Sequence, residues 1–268
     1  MGERNTEMED ANNRPVVGVV VPFYNYGKYI GDCLKSIWTD QNIPIEVVVV
    51  DDCSNAEHGD IARQECWKYP GTSYVRLEDN CGVSVARNTG IRMTSAPFIT
   101  CLDADDMLTP GSLKVRVDKM RKRPEAGLVY GRAYKINEAR ANSEWSYDEC
   151  MAQIRTLEVY SRWINAQALL WRRSVFVQFG LYYEKLRSKE DKEFIVRLGL
   201  HPEFKKLKKR IKAVPIDDIV AIYRRHEGAK HRMRCADKRW YHQTEQIFDA
   251  RILQLRKEWL TKENTSWL

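Results

Sequence analysis

The sequence contains no long uninterrupted apolar run. The longest stretch, Val16 to Phe23, is broken by Gly18 and Pro22 and is far shorter than the ~20 residues that a membrane-spanning helix needs. The first 14 residues are polar and include no apolar segment of the kind found in a signal peptide. We therefore expect no transmembrane segment and a cytoplasmic location, with peripheral contact to an anionic surface left open.

Cysteine, glycine and proline are used sparingly. The seven cysteines, at positions 33, 53, 66, 81, 101, 150 and 235, include no Cys-x-x-Cys pair, so we expect reduced thiols rather than a disulfide or zinc framework. With 14 Gly, 9 Pro and 43% apolar residues, the composition excludes a collagen-like or disordered chain. The chain is predicted to fold around a sizeable apolar core.

The net charge of +7 is unevenly distributed. Residues 1–150 hold 18 basic and 23 acidic side chains, a net of −5, whereas residues 151–268 hold 26 and 14, a net of +12. A basic half suits phosphate, nucleic acid or an anionic membrane surface, although a solvated lysine-rich surface gives the same count. The densest basic run is KKLKKR at residues 205–210.

Strand and helix patterns alternate along the first half. β-Branched runs at residues 16–21 and 45–50 predict buried strands, with shorter strands at 74–77 and 97–102. Apolar residues recur at helical spacing between Ile30 and Trp38, and further helices are expected up to about Tyr69 and over 83–94. Such alternation predicts an α/β fold with a mainly parallel, open sheet.

The second half has a looser pattern. Strands are expected over 127–134 and 214–223, and helices around 113–120, after Glu190-Asp191, and over 236–260. Periodicity fades between residues 137 and 163, which suggests a mobile or substrate-covering connection.

Polar clusters follow three of the predicted strands. Tyr24-Asn25, Asp51-Asp52 and Asp103 to Asp106 each come after the last apolar residue of a strand. In open α/β sheets the ligand crevice lies at the carboxyl ends of the strands, so the three clusters should converge. Closely spaced carboxylates repel one another unless a cation lies among them, and oxygen ligands favour Mg²⁺ or Mn²⁺. The alternative interpretation is that these aspartates bind no metal and only stabilise a turn ahead of Pro110.

Four motifs in order resemble family 2 glycosyltransferases with the GT-A fold. They are VVVPFYN at 19–25, EVVVVDDCS at 46–54, NCGVSVARNTG at 80–90 and FITCLDADD at 98–106. The resemblance is close over residues 16–135 and looser over 165–228. It implies a Rossmann-like, mainly parallel open sheet flanked by helices, with an acceptor-side subregion and a C-terminal helix. The implied division is a disordered 1–14, a nucleotide-sugar-binding half at 15–135, an acceptor-side half at 136–235 and a helical extension at 236–268.

The resemblance also implies donor-site roles for individual residues. Pro22, Tyr24 and Asn25 would line the base pocket, and Asp52 would accept a hydrogen bond from the base N–H, which suggests uracil. Arg87 would reach the diphosphate, where a guanidinium makes paired hydrogen bonds. A turn residue capping the next segment is the alternative for Asp52, and a surface helix arginine is the alternative for Arg87.

Metal and sugar roles follow from the same resemblance. Asp103 would contact the ribose or sugar, with Ala104 and Asp105 also in the donor site. Asp105 and Asp106 would bind Mn²⁺ or Mg²⁺. His226, in the late segment YRRHEG at 223–228, would complete the metal shell or contact a phosphate; a solvated surface position is its alternative.

Glu190-Asp191 resembles the family's acidic pair at a helix start, in which Asp191 serves as catalytic base. Inverting transfer needs such a group, because an acceptor hydroxyl must lose its proton as it attacks the anomeric carbon. Two acids that simply complement a helix dipole are the alternative. The predicted function is an inverting, metal-dependent transfer of a sugar from a nucleotide-diphospho-sugar, expected to be a UDP-sugar, to an acceptor glycan, a lipid-linked sugar or a modified DNA base. An inactive sugar-nucleotide or nucleic-acid binding protein is the other class considered.

Overall fold

The computed structural model describes residues 14–39, 42–137, 146–152, 158–160, 166–200, 211–226 and 238–264. The expected disorder of the N-terminal segment and the basic run at 205–210 lie outside the described residues, as does much of the connection expected over 137–163.

Helices and strands alternate strictly from β1 to β4. The elements are β1 (Val17–Phe23), α1 (Gly27–Trp38), β2 (Ile45–Asp51), α2 (Ala56–Trp67), β3 (Thr72–Arg76), α3 (Val83–Met93) and β4 (Phe98–Cys101). Then follow β5 (Met107–Leu108), α4 (Ser112–Arg121), β6 (Ala126–Asn137), α5 (Tyr147–Ala152), β7 (Glu158–Tyr160), β8 (Leu169–Arg172), α6 (Arg173–Phe179), α7 (Glu190–Arg197), β9 (Lys212–Arg225) and α8 (Lys238–Asn264).

The described strands form one sheet in the order β3-β2-β1-β4-β8-β6-β9-β5, with β7 paired to β6. Strands β3, β2, β1 and β4 are all mutually parallel. Strand β8 runs antiparallel to both β4 and β6, and β6 and β9 are again parallel. The predicted α/β fold with a mainly parallel sheet is confirmed, with antiparallel pairs added in the second half.

The centre of the sheet explains the β-branched runs. Every residue of β1 is buried, because β1 lies between β2 and β4 and carries helices on both faces. Helix α1 buries one apolar stripe that includes Ile30, Cys33 and Leu34. Helix α3 approaches β1 at Gly90, where an added Cβ would lie 2.3 Å from Val20 Cγ1. Glycine is therefore required there by close packing.

The two-residue strand β5 was not predicted, because so short a segment has no periodicity. It directly follows the acidic residues and pairs antiparallel with β9, Met107 opposite Ile222 and Leu108 opposite Ala221. This pairing brings the end of β9, which comes late in the sequence, to the acidic turn. Among the described helices, none is both long and apolar enough to cross a bilayer.

Candidate active site

The ends of β1 and β2 are joined by Asn25. Its backbone N–H donates to Ser54 Oγ at 2.9 Å, and its side-chain Oδ1 accepts from the N–H of Asn55 at 2.9 Å. Asn25 has a φ of 56°, a left-handed conformation that asparagine tolerates better than most residues. Pro22 and Phe23 are buried at the end of β1, whereas Tyr24, the first residue after the strand, is 46% exposed. The Tyr24 ring is thus available at the mouth of the crevice.

Asp52 holds the loop that begins α3. It is buried, and its Oδ1 and Oδ2 accept the backbone N–H groups of Cys81 at 2.7 Å and Gly82 at 2.8 Å. Gly82 precedes the first turn of α3 with a φ of 94°, which favours glycine. The structure thus gives Asp52 a role in holding the Cys81–Gly82 turn, whereas the next helix along the chain, α2, is capped by Asn55. A contact from Asp52 to a base N–H stays a prediction.

Three carboxylates gather in the turn after β4. Asp103, Asp105 and Asp106 each place a carboxylate oxygen within 4.8 Å of the others. Asp106 is buried, and its Oδ1 accepts the backbone N–H of Arg224 at 2.9 Å. Burial, Asp105 and Asp103 together raise the pKa of Asp106 well above its ordinary range. A divalent cation among the three oxygens would remove this electrostatic cost, so the donor set is suited to a hard metal ion.

His226 lies against the same turn. Its Nε2 is 3.0 Å from Asp105 Oδ2, and the ring is buried beside Tyr26 and Tyr29, with centroid distances of 5.6 and 4.5 Å. Neighbouring ligands of an octahedral ion with bonds of 2.0–2.1 Å are separated by about 3 Å, so both atoms could bind one metal. Burial and the neighbouring Asp105 raise the pKa of Tyr26, which keeps its hydroxyl protonated.

Arg87 connects the acidic turn to the second half of the chain. The side chain is buried, and Nη2 donates to Asp103 Oδ1 at 2.6 Å while Nη1 donates to Glu190 Oε1. Burial lowers the pKa of the Arg87 guanidinium, but Asp103 and Glu190 outweigh this effect and hold the pKa above its usual value. Arg87 is therefore not a surface arginine. Its role toward a diphosphate stays a prediction.

Helix α3 holds the segment that precedes α7. Ser84 Oγ donates to the carbonyl oxygen of Leu186. Asn88 makes a reciprocal pair with the backbone of Tyr182, donating from Nδ2 at 2.9 Å and accepting at Oδ1 at 3.0 Å. Ser84, Arg87 and Asn88 are spaced i, i+3, i+4 and so share one face of α3. Sequence reasoning missed Ser84 and Asn88, although polar residues at helical spacing within NCGVSVARNTG were a usable signal.

Glu190 and Asp191 begin α7, and their side chains have different surroundings. Glu190 is buried and faces Arg87. Asp191 is partly exposed, and its Oδ1 accepts the N–H of Lys192 at 2.8 Å. The Arg87 bridge thus places the first turn of α7 beside the acidic turn after β4, about 85 residues away in sequence. Of the predicted site residues, the structure brings Asp103, Asp105, Asp106 and His226 together directly, and Arg87 links them to the Glu190-Asp191 pair.

Solved structures share this fold. The structure of TarS 1-349 from S. aureus in complex with UDP-GlcNAc aligns with a TM-score of 0.59 at 20% identity, covering 80% of this chain and 59% of that chain. Mannosyltransferase PcManGT from Pyrobaculum calidifontis, in complex with GDP-Man and Mn2+, aligns with a TM-score of 0.60 at 20% identity, covering 82% and 60%. The architecture is therefore the GT-A fold of glycosyltransferases. The chain spans about 60% of the length of both solved chains.

Sequence comparison gives the family. The model of glycosyl transferase family 2 matches residues 18–185. Glycosyltransferase GlyG of Streptococcus pneumoniae serotype 4 is 25% identical over 245 residues, 88% of this chain and 79% of GlyG. Glycosyltransferase GlyA of the same organism is 33% identical over 123 residues, 46% of this chain and 17% of GlyA. The chain belongs to glycosyl transferase family 2.

Proposed function

We propose that this protein is an inverting, metal-dependent glycosyltransferase that moves a sugar from a UDP-sugar to an acceptor hydroxyl. The observation that carries the proposal is the Arg87 bridge, which joins the metal-suited acidic turn at Asp103 to Glu190, the neighbour of the partly exposed Asp191 in the first turn of α7. Family membership supports glycosyl transfer. TarS in complex with UDP-GlcNAc and PcManGT with GDP-Man and Mn2+ support a nucleotide-sugar donor and a divalent ion.

The donor nucleotide would bind where β1 and β2 end. The Tyr24 ring is exposed enough to stack on a base, and the buried Pro22 and Asn25, which is hydrogen-bonded to Ser54, lie within two residues of it in sequence. Asp52 fixes the Cys81–Gly82 turn, and its carboxylate, an acceptor with two oxygens, would also accept the hydrogen bond of a uracil N–H. Together these residues would bind and orient the base.

The metal would be held by Asp105 and Asp106, with His226 as a further ligand. Asp103 would contact the ribose or sugar, as its Oδ1 is already oriented by Arg87. A bound divalent ion would offset the negative charge that develops on the departing diphosphate. The residues themselves would supply the oriented oxygens and an aromatic wall, formed by the partly buried Tyr26 and the buried Tyr29, that limits water at this point.

Asp191 would act as the base. Its carboxylate would take the proton from the acceptor hydroxyl as that oxygen forms a bond to the anomeric carbon and the bond to the diphosphate breaks. A direct displacement of this kind inverts the anomeric centre and requires no covalent intermediate. Glu190 would not compete for the proton, because its Oε1 is paired with Arg87 in a buried position.

Calorimetry tests the donor and metal assignments. UDP should bind more tightly with Mn²⁺ than with a chelator, and Asp105→Asn should remove that difference. Asp118→Asn, an exposed change in α4, is the matched control. An affinity for UDP that is the same with and without metal would contradict the metal assignment, and preference for GDP would contradict the uracil assignment.

Turnover tests the base. Release of UDP from UDP-GlcNAc in the presence of Mn²⁺, alone and with glycan, lipid-linked sugar or hydroxymethylated DNA as acceptor, identifies the acceptor class. Asp191→Asn should lower the rate by about 10² or more while UDP affinity changes little. Proton NMR of the product should show a β linkage from an α-linked donor. Retention of configuration, or full activity of Asp191→Asn, would remove Asp191 from the mechanism.

A further inference from the structure

The long terminal helix α8 packs directly against α7. Phe248, Ile252 and Leu255 of α8 form one buried cluster with Leu186 and Val196. Both helices lie beyond residue 185, where the match to the family model ends. The role of α8 must therefore be worked out from its contacts.

A buried carboxylate joins the two helices. Glu193 of α7 is fully buried; Oε1 accepts from Arg251 Nε of α8 at 3.1 Å, and Oε2 accepts from Arg197 Nη2 at 2.9 Å. Arg197 in turn donates to the carbonyl oxygens of Phe179 and Leu181, each at 2.7 Å. Glu193 thus ties α8 to the chain segment that leads into the active site.

A second contact lies at the start of α7. Lys189, which precedes the Glu190-Asp191 pair, has a φ of 65° and forms an ion pair with Glu245 of α8. The ammonium groups of Lys189 and Lys192 lie 5.1 and 5.6 Å from the centroid of the Phe248 ring. Helix α8 therefore contacts the chain on both sides of Asp191, at Lys189 just before α7 and at Lys192 within it.

Because α7 is short, its orientation depends on these contacts with α8. A helix of eight residues is too short to be stable alone, so its tilt and rotation are set by what it packs against. Asp191 and Glu193 are two residues apart, about 200° around the helix axis. The contact between Glu193 and Arg251 thus lies on a face of α7 roughly opposite to that of Asp191, and it helps to fix the rotation of the helix that carries the proposed base. A misplacement of ~1 Å at a reacting group can lower a rate by about 10².

We propose that α8 is the positioning element of the catalytic base, and that Arg251 is its principal positioning residue. The inference rests on the proposed role of Asp191. Arg251 donates to Glu193 and lies 4.9 Å from the centroid of the Tyr183 ring, so it would act through Glu193 on the orientation of α7. Loss of Arg251 should therefore impair transfer while leaving nucleotide binding intact.

The primary variant is Arg251→Met. The control is Lys257→Met, which removes the same charge from an exposed position on the same helix. UDP affinity in the presence of Mn²⁺ should stay within about twofold, while UDP release from UDP-GlcNAc falls about tenfold or more. Amide hydrogen exchange should become about tenfold faster over 190–197 and stay unchanged in β1, which reports the loss of position without any donor. Arg251→Lys should recover part of the rate. Unchanged exchange in α7 would overturn the inference.

A combined variant separates positioning from general damage. If Arg251 acts through Asp191, Asp191→Asn/Arg251→Met should be about as slow as Asp191→Asn alone. If the rate reduction of the combined variant is instead the product of the reductions of the two single variants, the inference is overturned and Asp191 remains the base. Full activity of Asp191→Asn would overturn the base assignment and this inference together. If Arg251→Met does not fold, Glu245→Gln, which weakens the contact at Lys189, should show the same selective loss of transfer, and normal transfer would overturn the inference.

Discussion

Arg87 should be the most sensitive single ion-pairing residue between the two halves of the site. Arg87→Met removes a cation whose side chain is 3% exposed from its pair with Glu190, which is 7% exposed. Removal of one partner from a buried pair costs about 3–5 kcal/mol, because the other charge remains buried. The second pair, to Asp103, adds little, since the Asp103 side chain is 40% exposed. In a chain of this size such a loss lowers Tm by about 6–20 °C.

The measurement is urea unfolding followed by circular dichroism, with a thermal scan beside it. Arg92→Met is the matched control: the same substitution on the same helix removes a surface pair to Glu184, at 3.3 Å, between side chains 57% and 48% exposed. It should cost about 0–1 kcal/mol. The midpoint of Arg87→Met should fall while the slope of the transition stays constant, as expected for a change in stability alone.

A double variant tests the stated cause. Adding Glu190→Gln to Arg87→Met removes the charge that was left buried, so the two losses should fall short of their sum by about 0.5–3 kcal/mol. If Arg87→Met and Arg92→Met destabilise the protein equally, or if the losses at positions 87 and 190 simply add, the bridge is not the source of the stability and the reasoning is wrong.

Two further substitutions test local features. Gly90→Ala should destabilise the protein by about 1–3 kcal/mol or more, because its Cβ would lie 2.3 Å from Val20 Cγ1. The control, Gly31→Ala, places its Cβ 3.3 Å from a movable Glu65 carboxylate and should be near neutral. Equal unfolding midpoints for the two variants would contradict this reasoning. Asp52→Ala should lose about 1.5–3 kcal/mol for each of its two backbone hydrogen bonds and also weaken UDP binding, measured by urea unfolding and calorimetry. Unchanged stability with weaker UDP binding would assign Asp52 to the ligand alone.

The sheet was predictable where burial dictates composition. The β-branched runs at 16–21 and 45–50 become β1 and β2 because both faces of a central parallel strand are covered. Likewise, the acidic residues at 103–106 follow β4 directly, so their convergence with Asp52 and Asn25 at one edge follows from topology. The antiparallel pairing of β8 with β4 and β6 had no local signal, since its four residues are shorter than any usable period.

The partners of individual side chains were the least predictable part of the site. Arg87 was expected to meet a diphosphate or solvent, but its two carboxylates come from residues 16 and 103 positions away. The proximity of His226 to Asp105 depends on the pairing of the two-residue β5 with β9. Such contacts are set by tertiary packing, which a one-dimensional pattern does not contain.

The hydrogen bonds between α3 and the segment that leads into α7 limit how chimeras of this protein and its relatives can be built. Ser84, Arg87 and Asn88 belong to the donor half of the sequence, yet they bind Leu186, Glu190 and Tyr182 of the other half. A chimera that exchanged the acceptor half at the obvious midpoint would separate a set of residues that must match as a unit. Exchanging α3 together with residues 182–190 would keep that set intact, so the natural unit of exchange is discontinuous in sequence.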